Sequence, residues 1–388
     1  MRQPLLPLPP PLRGADPDSF ARDTVIRRLP AIAGRVLAEN DLDPEAADAV
    51  AALAAEIPSA PLRPLADAGA PDLALWHDYL APYAGQDWLA VPWFLAETYF
   101  YRRILEAIGY FRPRSGAFGR DPYAQQKRLG LERTPLAGLA AEPLPLDAAL
   151  RGALWGNQAD LSLWPADAEG GPGGATLLAD DGPAVLAHLD ALIARSATVD
   201  VILDNAGAEL AHDLLLTDAL LARSLRVRLH AKAHPTFVSD ATVGDVRDTI
   251  AWLAGRPDPV AAAAARLVAA LAESRLTLHD DWFWTSPLAG WELPEALFGT
   301  LATSGLLISK GDANYRRWLG DRHWPAVTPL ADVLGYAPAP LLLLRTCKSE
   351  VAIGLDQARL AAASARDPQW MTNGRWGLVQ FVGRETGG

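Results

Sequence analysis

Four short segments concentrate the side chains able to do chemistry: LDNAGAE with Asp204, Asn205 and Glu209, HPTFVSD ending at Asp240, SKGDANYR around Lys310 to Arg316, and RTCK from Arg345 to Lys348. Carboxylate and amide oxygens are hard ligands suited to Mg²⁺ or Mn²⁺. One carboxylate, one amide and a second carboxylate, read as Asp204, Asn205 and Asp240, would leave open positions for water and substrate. The cations point to an anion. Of 35 basic residues only Lys127, Lys232, Lys310 and Lys348 are lysine, and the last three fall in or beside these segments. Lysine is a compact point charge and arginine a wide planar fork, so a crowded phosphate site can accept one and refuse the other. Asparagine repeats the pattern, since Asn157, Asn205 and Asn314, three of five, lie in such polar clusters. Singly, each motif is also a plausible solvated strand end or helix cap.

Positioning these groups requires strands that end at them. Apolar runs of strand length occur at 198–204, 225–231, 305–310, 341–346 and 376–382, separated by helical stretches such as 206–223 and 257–273. Continuous apolar strands alternating with helices predict a largely parallel sheet covered on both faces. In such sheets ligands bind beyond the carboxyl ends of the strands, where the four segments would emerge together. Asp204 and Asn205 are adjacent and would face opposite ways on a continuing strand, so they converge only if the chain turns, and Gly207 permits that.

Residues 19–109 carry helical periodicity, with an aromatic helix expected over 93–111 that packs in the core and includes Glu97 and Arg102. The expected fold class is α/β, a helical N-terminal subdomain packed on a largely parallel three-layer αβα sheet domain. The expected divisions are a flexible Pro-rich arm over 1–18, a mainly helical subdomain over 19–150 and an α/β catalytic domain over 151–388.

Composition narrows the function classes. The 388 residues, 50% hydrophobic and 21% charged, suit a globular chain with a sizeable core. A net charge of -11 argues against a general nucleic-acid partner. The single cysteine, Cys347, excludes an intramolecular disulfide framework and fits a cytoplasmic setting. The prolines of MRQPLLPLPPPLRG interrupt the apolar region a secretory signal needs, and no long uncharged apolar run predicts a membrane span.

LWGNQADLSLWP, LDNAGAELAHDLLLTDALL, HPTFVSDAT, KGDANYRRWLGDRHWP and LRTCKSE, in this order, resemble the metal-dependent damage-control phosphatases. The resemblance is to the sugar-phosphate branch with an Arg-Thr-x-Lys motif, here Arg345 to Lys348, a branch also described as protein-glutamate methyltransferase-like. WFLAETYFYRRI and DPYAQQK extend it over most of the chain, Lys127 included.

The resemblance implies a divalent cofactor, Mn²⁺ with Co²⁺, Ni²⁺ or Mg²⁺ as alternatives, held by Asp204, Asn205 and Asp240. It implies that the Asp312 to Arg316 segment, with Asn314 and Tyr315, binds a phosphorylated metabolite together with Glu209, Arg345 and Lys348. The chain departs from the family pattern at Ala208 and Ala313, where larger residues are usual. The expected reaction is hydrolysis of small phosphomonoesters such as fructose 1-phosphate, with Asp204, Asp240 and Asp312 as catalytic carboxylates and Asp240 or Asp312 moving the proton. The alternatives are a carboxyl methyltransferase using S-adenosylmethionine, against which LDNAGAE offers only one glycine, and a non-catalytic phosphometabolite-binding protein. Lys310 is expected to orient the Asp312 loop and Lys232 to sit near Asp240. His234, His212 and His323 are expected to be secondary, Trp324 to pack beneath the Asp312 loop, and Cys347 to be buried and inert.

Overall fold

The computed structural model describes residues 2–134, 136, 141–156, 176–257 and 259–383. Seven strands, β1 Thr176–Asp180, β2 Thr198–Ile202, β3 Arg226–Lys232, β4 Leu276–Asp281, β5 Leu306–Lys310, β6 Leu341–Thr346 and β7 Trp376–Val382, form one sheet in the order β1-β7-β6-β5-β2-β3-β4. All neighbours are parallel except β6 and β7, which pair antiparallel with Leu341 opposite Val382.

The expected α/β fold class is observed, and the strand alternation explains how it is held. Val199 and Val201 of β2, Leu306 and Ile308 of β5, and Leu342 and Leu344 of β6 enter one apolar cluster. Ile202, Leu307, Leu341 and Leu343 enter the other. With side chains alternating at period two, both faces of the central strands are apolar and each needs a covering layer. Helices including Leu146–Trp155, Ala208–Leu221 and Ala261–Ala272 cover one face, while the N-terminal helices share a single core with the other.

The strands absent from the sequence reading, β1 and β4, are the two sheet edges. β4 reads LTLHDD and is half exposed, so it lacks the continuous apolar run that marked the buried strands.

The Trp93–Ile108 helix is buried on every side, which an aromatic face alone did not predict. Its charges are paired internally. Arg102 bonds Asp67 and Asp72 at 2.7 Å, and Arg103 bonds Glu56 at 2.9 Å.

Residues 2–18 are not a free arm as expected. Leu12 donates its amide to Asp321 O at 2.9 Å and accepts from Trp93 at 2.8 Å, and His323 donates to Pro10 O at 3.1 Å. Leu12 is buried, so the prolines stiffen a strap laid across both layers. Among the described residues no helix is long and apolar enough to cross a membrane.

Candidate metal and phosphate site

β2 and β5 are neighbours whose connections leave in opposite directions, β2 toward β3 and β5 toward β6. Such a switch point opens a crevice beyond the strand ends. Both strands feed helices there, Ala208–Leu221 after β2 and Gly311–Leu319 after β5. The first-turn amides of a helix lie outside its own ladder, so two N-termini favour negative charge at one place.

The turn anticipated after β2 exists. Gly207 has φ +75, and Asn205 forms an antiparallel bridge with Asp240. Ala241 donates to Asp204 O at 2.8 Å and Ala206 donates to Ser239 O at 2.6 Å, locking the two loops together. Asn205 Nδ2 donates to Asp204 Oδ2 at 2.7 Å and to Glu209 Oε2 at 2.9 Å, while Ser239 Oγ donates to Asn205 Oδ1 at 2.5 Å. On the β5 side Gly311 has φ +81, and a Cβ there would run into the Asp204 carboxylate. Only glycine lets the second helix start this close.

Asp204, Asp240 and Glu209 are all buried, with 6%, 1% and 6% of their surface exposed. Burial, then the charges of Glu209 and Asp240, hold the Asp204 carboxyl well above the usual carboxylate range against the pull of Lys232 and Lys348. Burial also raises Asp240 despite Lys232, whose Nζ lies 3.1 Å from Asp240 Oδ2. Glu209 goes the other way: burial opposes ionisation, but Lys310, Lys348 and the Asn205 amide outweigh it.

The loops are therefore rich in hard oxygens, and the Asp204 carboxyl is held far above its usual range despite the nearby lysines, which fits a divalent cation. Among the described residues no trio of His, Cys, Asp or Glu forms a ready metal cluster. The fitting set is two carboxylates and one amide, Asp204, Asp240 and Asn205. Asn205 now presents Nδ2 to the carboxylates, so serving as a ligand through Oδ1 requires the amide to turn over and offer Nδ2 to Ser239.

A second group of expected residues sits beside the first. Asp312 Oδ1 accepts from Arg345 Nε at 2.7 Å, the Lys348 amide at 3.0 Å and Ser349 Oγ at 3.1 Å. Burial opposes its ionisation, but Arg345, Arg316 and that amide hold it below the usual carboxylate range. It is thus an anchor for the 345–349 turn and a poor proton acceptor. Arg345 is fully buried over the Tyr315 ring and also bonds Val351 O and Ser349 O, leaving half-buried Lys348 as the cation facing Asp204 and Glu209.

Other expectations are corrected by burial. Arg316 does not reach a phosphate: its guanidinium bonds Glu97 at 2.6 Å and Asp321 at 2.7 Å and lies 3.6 Å from the Trp93 ring centre. Tyr315 bonds Gln380 at 3.1 Å, and Asn314 donates to Leu203 O and Lys310 O, so both brace the strand ends from beneath. Lys310 does not orient the Asp312 loop. It pairs with Glu209 at 2.9 Å and Asp213 at 3.0 Å.

Lys232 lies beside Asp240 as expected, and Lys127 pairs with Asp121 at 2.7 Å and Asp245 at 2.8 Å. Cys347 is buried, and burial pushes its thiol up to about 11. Asn157 and the rest of its motif through Pro165 lie outside the described residues. Gly311 and Ser239 were missed by sequence reasoning. For Gly311 a signal existed, a glycine at a strand-to-helix junction facing another such junction.

A model of the damage-control phosphatase ARMT1-like domain matches residues 24–363. Over 369 residues the chain is 33% identical to damage-control phosphatase ARMT1 of Danio rerio, covering 83% of this chain and 81% of that protein. It is 30% identical to the Homo sapiens protein of the same name, covering 97% of this chain and 99% of that one. A crystal structure of a DUF89 family protein from Pyrococcus horikoshii superposes with a TM-score of 0.47 at 14% identity, over 84% of this chain and 90% of that one.

Proposed function

This chain belongs to the damage-control phosphatase ARMT1-like family, and we propose that it hydrolyses small phosphomonoesters, sugar phosphates such as fructose 1-phosphate among them, at the β2–β5 switch point. It is accordingly a phosphatase that works with a divalent metal, for which we propose Mn²⁺, with Co²⁺, Ni²⁺ and Mg²⁺ as the alternatives. The observation that carries this reading is the crowding of Asp204 against Asp240 and Glu209 in one buried cluster, in which the lysines bond Asp240 and Glu209 and the Asp204 carboxyl is held well above its usual range.

Asp204, Asn205 and Asp240 would hold a divalent ion, which would supply Lewis acidity toward a phosphoryl oxygen and make a water more acidic. The chain's own residues do the rest. Asp204, whose carboxyl burial and its carboxylate neighbours hold above the usual range, would face the ion as carboxylate, any proton it carries passing to solvent. Lys348 and the first-turn amides of the Ala208–Leu221 and Gly311–Leu319 helices receive the equatorial phosphoryl oxygens, where fixed donors stabilise charge without reorganisation. Asp312 positions Lys348 through its backbone amide, and Lys310 holds Glu209 ionised. Of the two carboxylates expected to move a proton, Asp312 is held ionised and committed to the 345–349 turn, which leaves Asp240 as the candidate.

The test is phosphate release from a sugar-phosphate panel with Mn²⁺, Co²⁺, Ni²⁺, Mg²⁺ or chelator, on wild type and Asp204→Ala. Chelation should abolish turnover, and the substitution should lower kcat by roughly 10²-fold or more. Turnover indifferent to both would remove the proposal. Methyl transfer that survives chelation, or saturable binding without phosphate release, would favour the two alternatives.

A further inference from the structure

Away from the carboxylate loops, a cavity of about 330 Å³ lies between the N-terminal layer and the Gly311–Leu319 helix. Arg317 and Arg322 line it together with Tyr83 and Trp291. Arg317 is 2% exposed and lies between the Phe94 and Phe283 rings, 5.0 Å from each centre. It donates to Leu288 O at 2.7 Å and Trp284 O at 3.1 Å, and its Nε–H is buried without a partner. Arg322 donates to Pro9 O at 2.6 Å, and its Nε–H is likewise buried and unpartnered.

Among the described residues neither guanidinium forms an ion pair. Asp321 lines the cavity but is engaged on both oxygens by Arg316, at 2.7 and 2.9 Å. Asp78 and Glu292 are exposed at the rim, where Glu292 accepts from the Ala289 amide at 2.8 Å. Burial pulls Arg317 down to about 9 and Arg322 below its usual value, only partly offset by Asp240 and Glu292 respectively. Buried Arg317 and half-buried Arg322 thus share one cavity with Glu292 near enough to act on both but, among the described residues, no ion pair to either, an arrangement that a bound oxyanion relieves.

We propose that this cavity binds a small metabolite carrying a carboxylate or phosphate on a flat apolar body, with the oxyanion received by Arg317 and Arg322 and the body against Tyr83 and Trp291. The volume suits a ligand at the small end of the usual range, and aromatic walls favour a planar body. The site is separate from the phosphatase loops, yet the same helix serves both. Its first residue abuts Asp204 and Arg317 lies near its other end.

Benzoate and inorganic phosphate are titrated calorimetrically into chelated, metal-free protein, as wild type, Arg322→Met, Arg317→Met and Lys348→Ala. One equivalent should bind, with affinity lowered at least about tenfold by either arginine substitution and unchanged by Lys348→Ala. Benzoate binding alone assigns a carboxylate source, and phosphate binding alone a phosphate source. Because Arg317→Met removes a buried side chain, half-buried Arg322→Met and a crystal soaked with 4-bromobenzoate keep the test decisive, the bromine being expected in the cavity. The proposal is overturned by no binding of either probe up to about 10 mM, by equal binding in both arginine variants, or by binding lost only in Lys348→Ala.

Discussion

At the scale of single residues, the scarce lysines divide by the partner each one meets. Lys232 and Lys310 are spent on Asp240 and on Glu209 with Asp213, while Lys348 is half buried and acts on Asp204, to which no lysine is bonded among the described residues. Lys348→Arg should therefore keep the charge yet lower kcat by about tenfold or more, because the planar fork cannot occupy the place of a compact ammonium. Steady-state kinetics check this, and unchanged turnover would show that charge alone suffices. Gly311→Ala is a harder change. The new Cβ meets the Asp204 carboxylate at a left-handed φ, so stability should fall by more than about 2 kcal/mol, with Mn²⁺ affinity falling in parallel. Urea unfolding and metal titration would read both.

At the scale of elements, the Gly311–Leu319 helix does two jobs that its sequence does not separate. Its first turn meets Asp204, and its next turn inserts Arg316 between Glu97 of the N-terminal helix and Asp321. KGDANYR reads as one polar cluster, but helical geometry sends successive side chains in different directions. Arg316 therefore ties the layers together. Arg316→Met should destabilise the protein by about 3–5 kcal/mol, since it strands two buried carboxylates, while KM for the sugar phosphate stays near wild type in folded enzyme. A large rise in KM with little loss of stability would return Arg316 to the substrate.

At the scale of the whole molecule, burial also sets the response to acid. Burial pushes His212 and His234 down to about 4 from an ordinary 6.5, so both are neutral in the fold and take up protons on unfolding. The folded state binds fewer protons between those values, and stability present above about 6.5 is lost as pH falls toward 4. His234 sits among the Phe111 and Trp282 rings with Nε2 unpartnered. His234→Phe should consequently flatten the fall of Tm over that window, and an unchanged acid limb would assign the effect elsewhere.

Much of the molecule was legible in the chain. Strands β2, β5, β6 and β7 announce themselves because an interior strand is largely apolar on both faces, β3 by the alternation of Val227, Leu229 and Ala231 with polar residues, and the polar segments at their ends mark the ligand edge. Edge strands β1 and β4 were not legible, because one side faces solvent or a loop and the apolar run breaks. The sequence by itself determined which residue types are available for metal and phosphate, and on which strand ends they stand. Only the tertiary structure decided which charges are already paired. Lys310 met Asp213, Arg316 met Glu97 and Arg345 met Asp312 through contacts spanning 97, 219 and 33 residues of the chain, and a buried charge is free for chemistry only when no such partner has reached it.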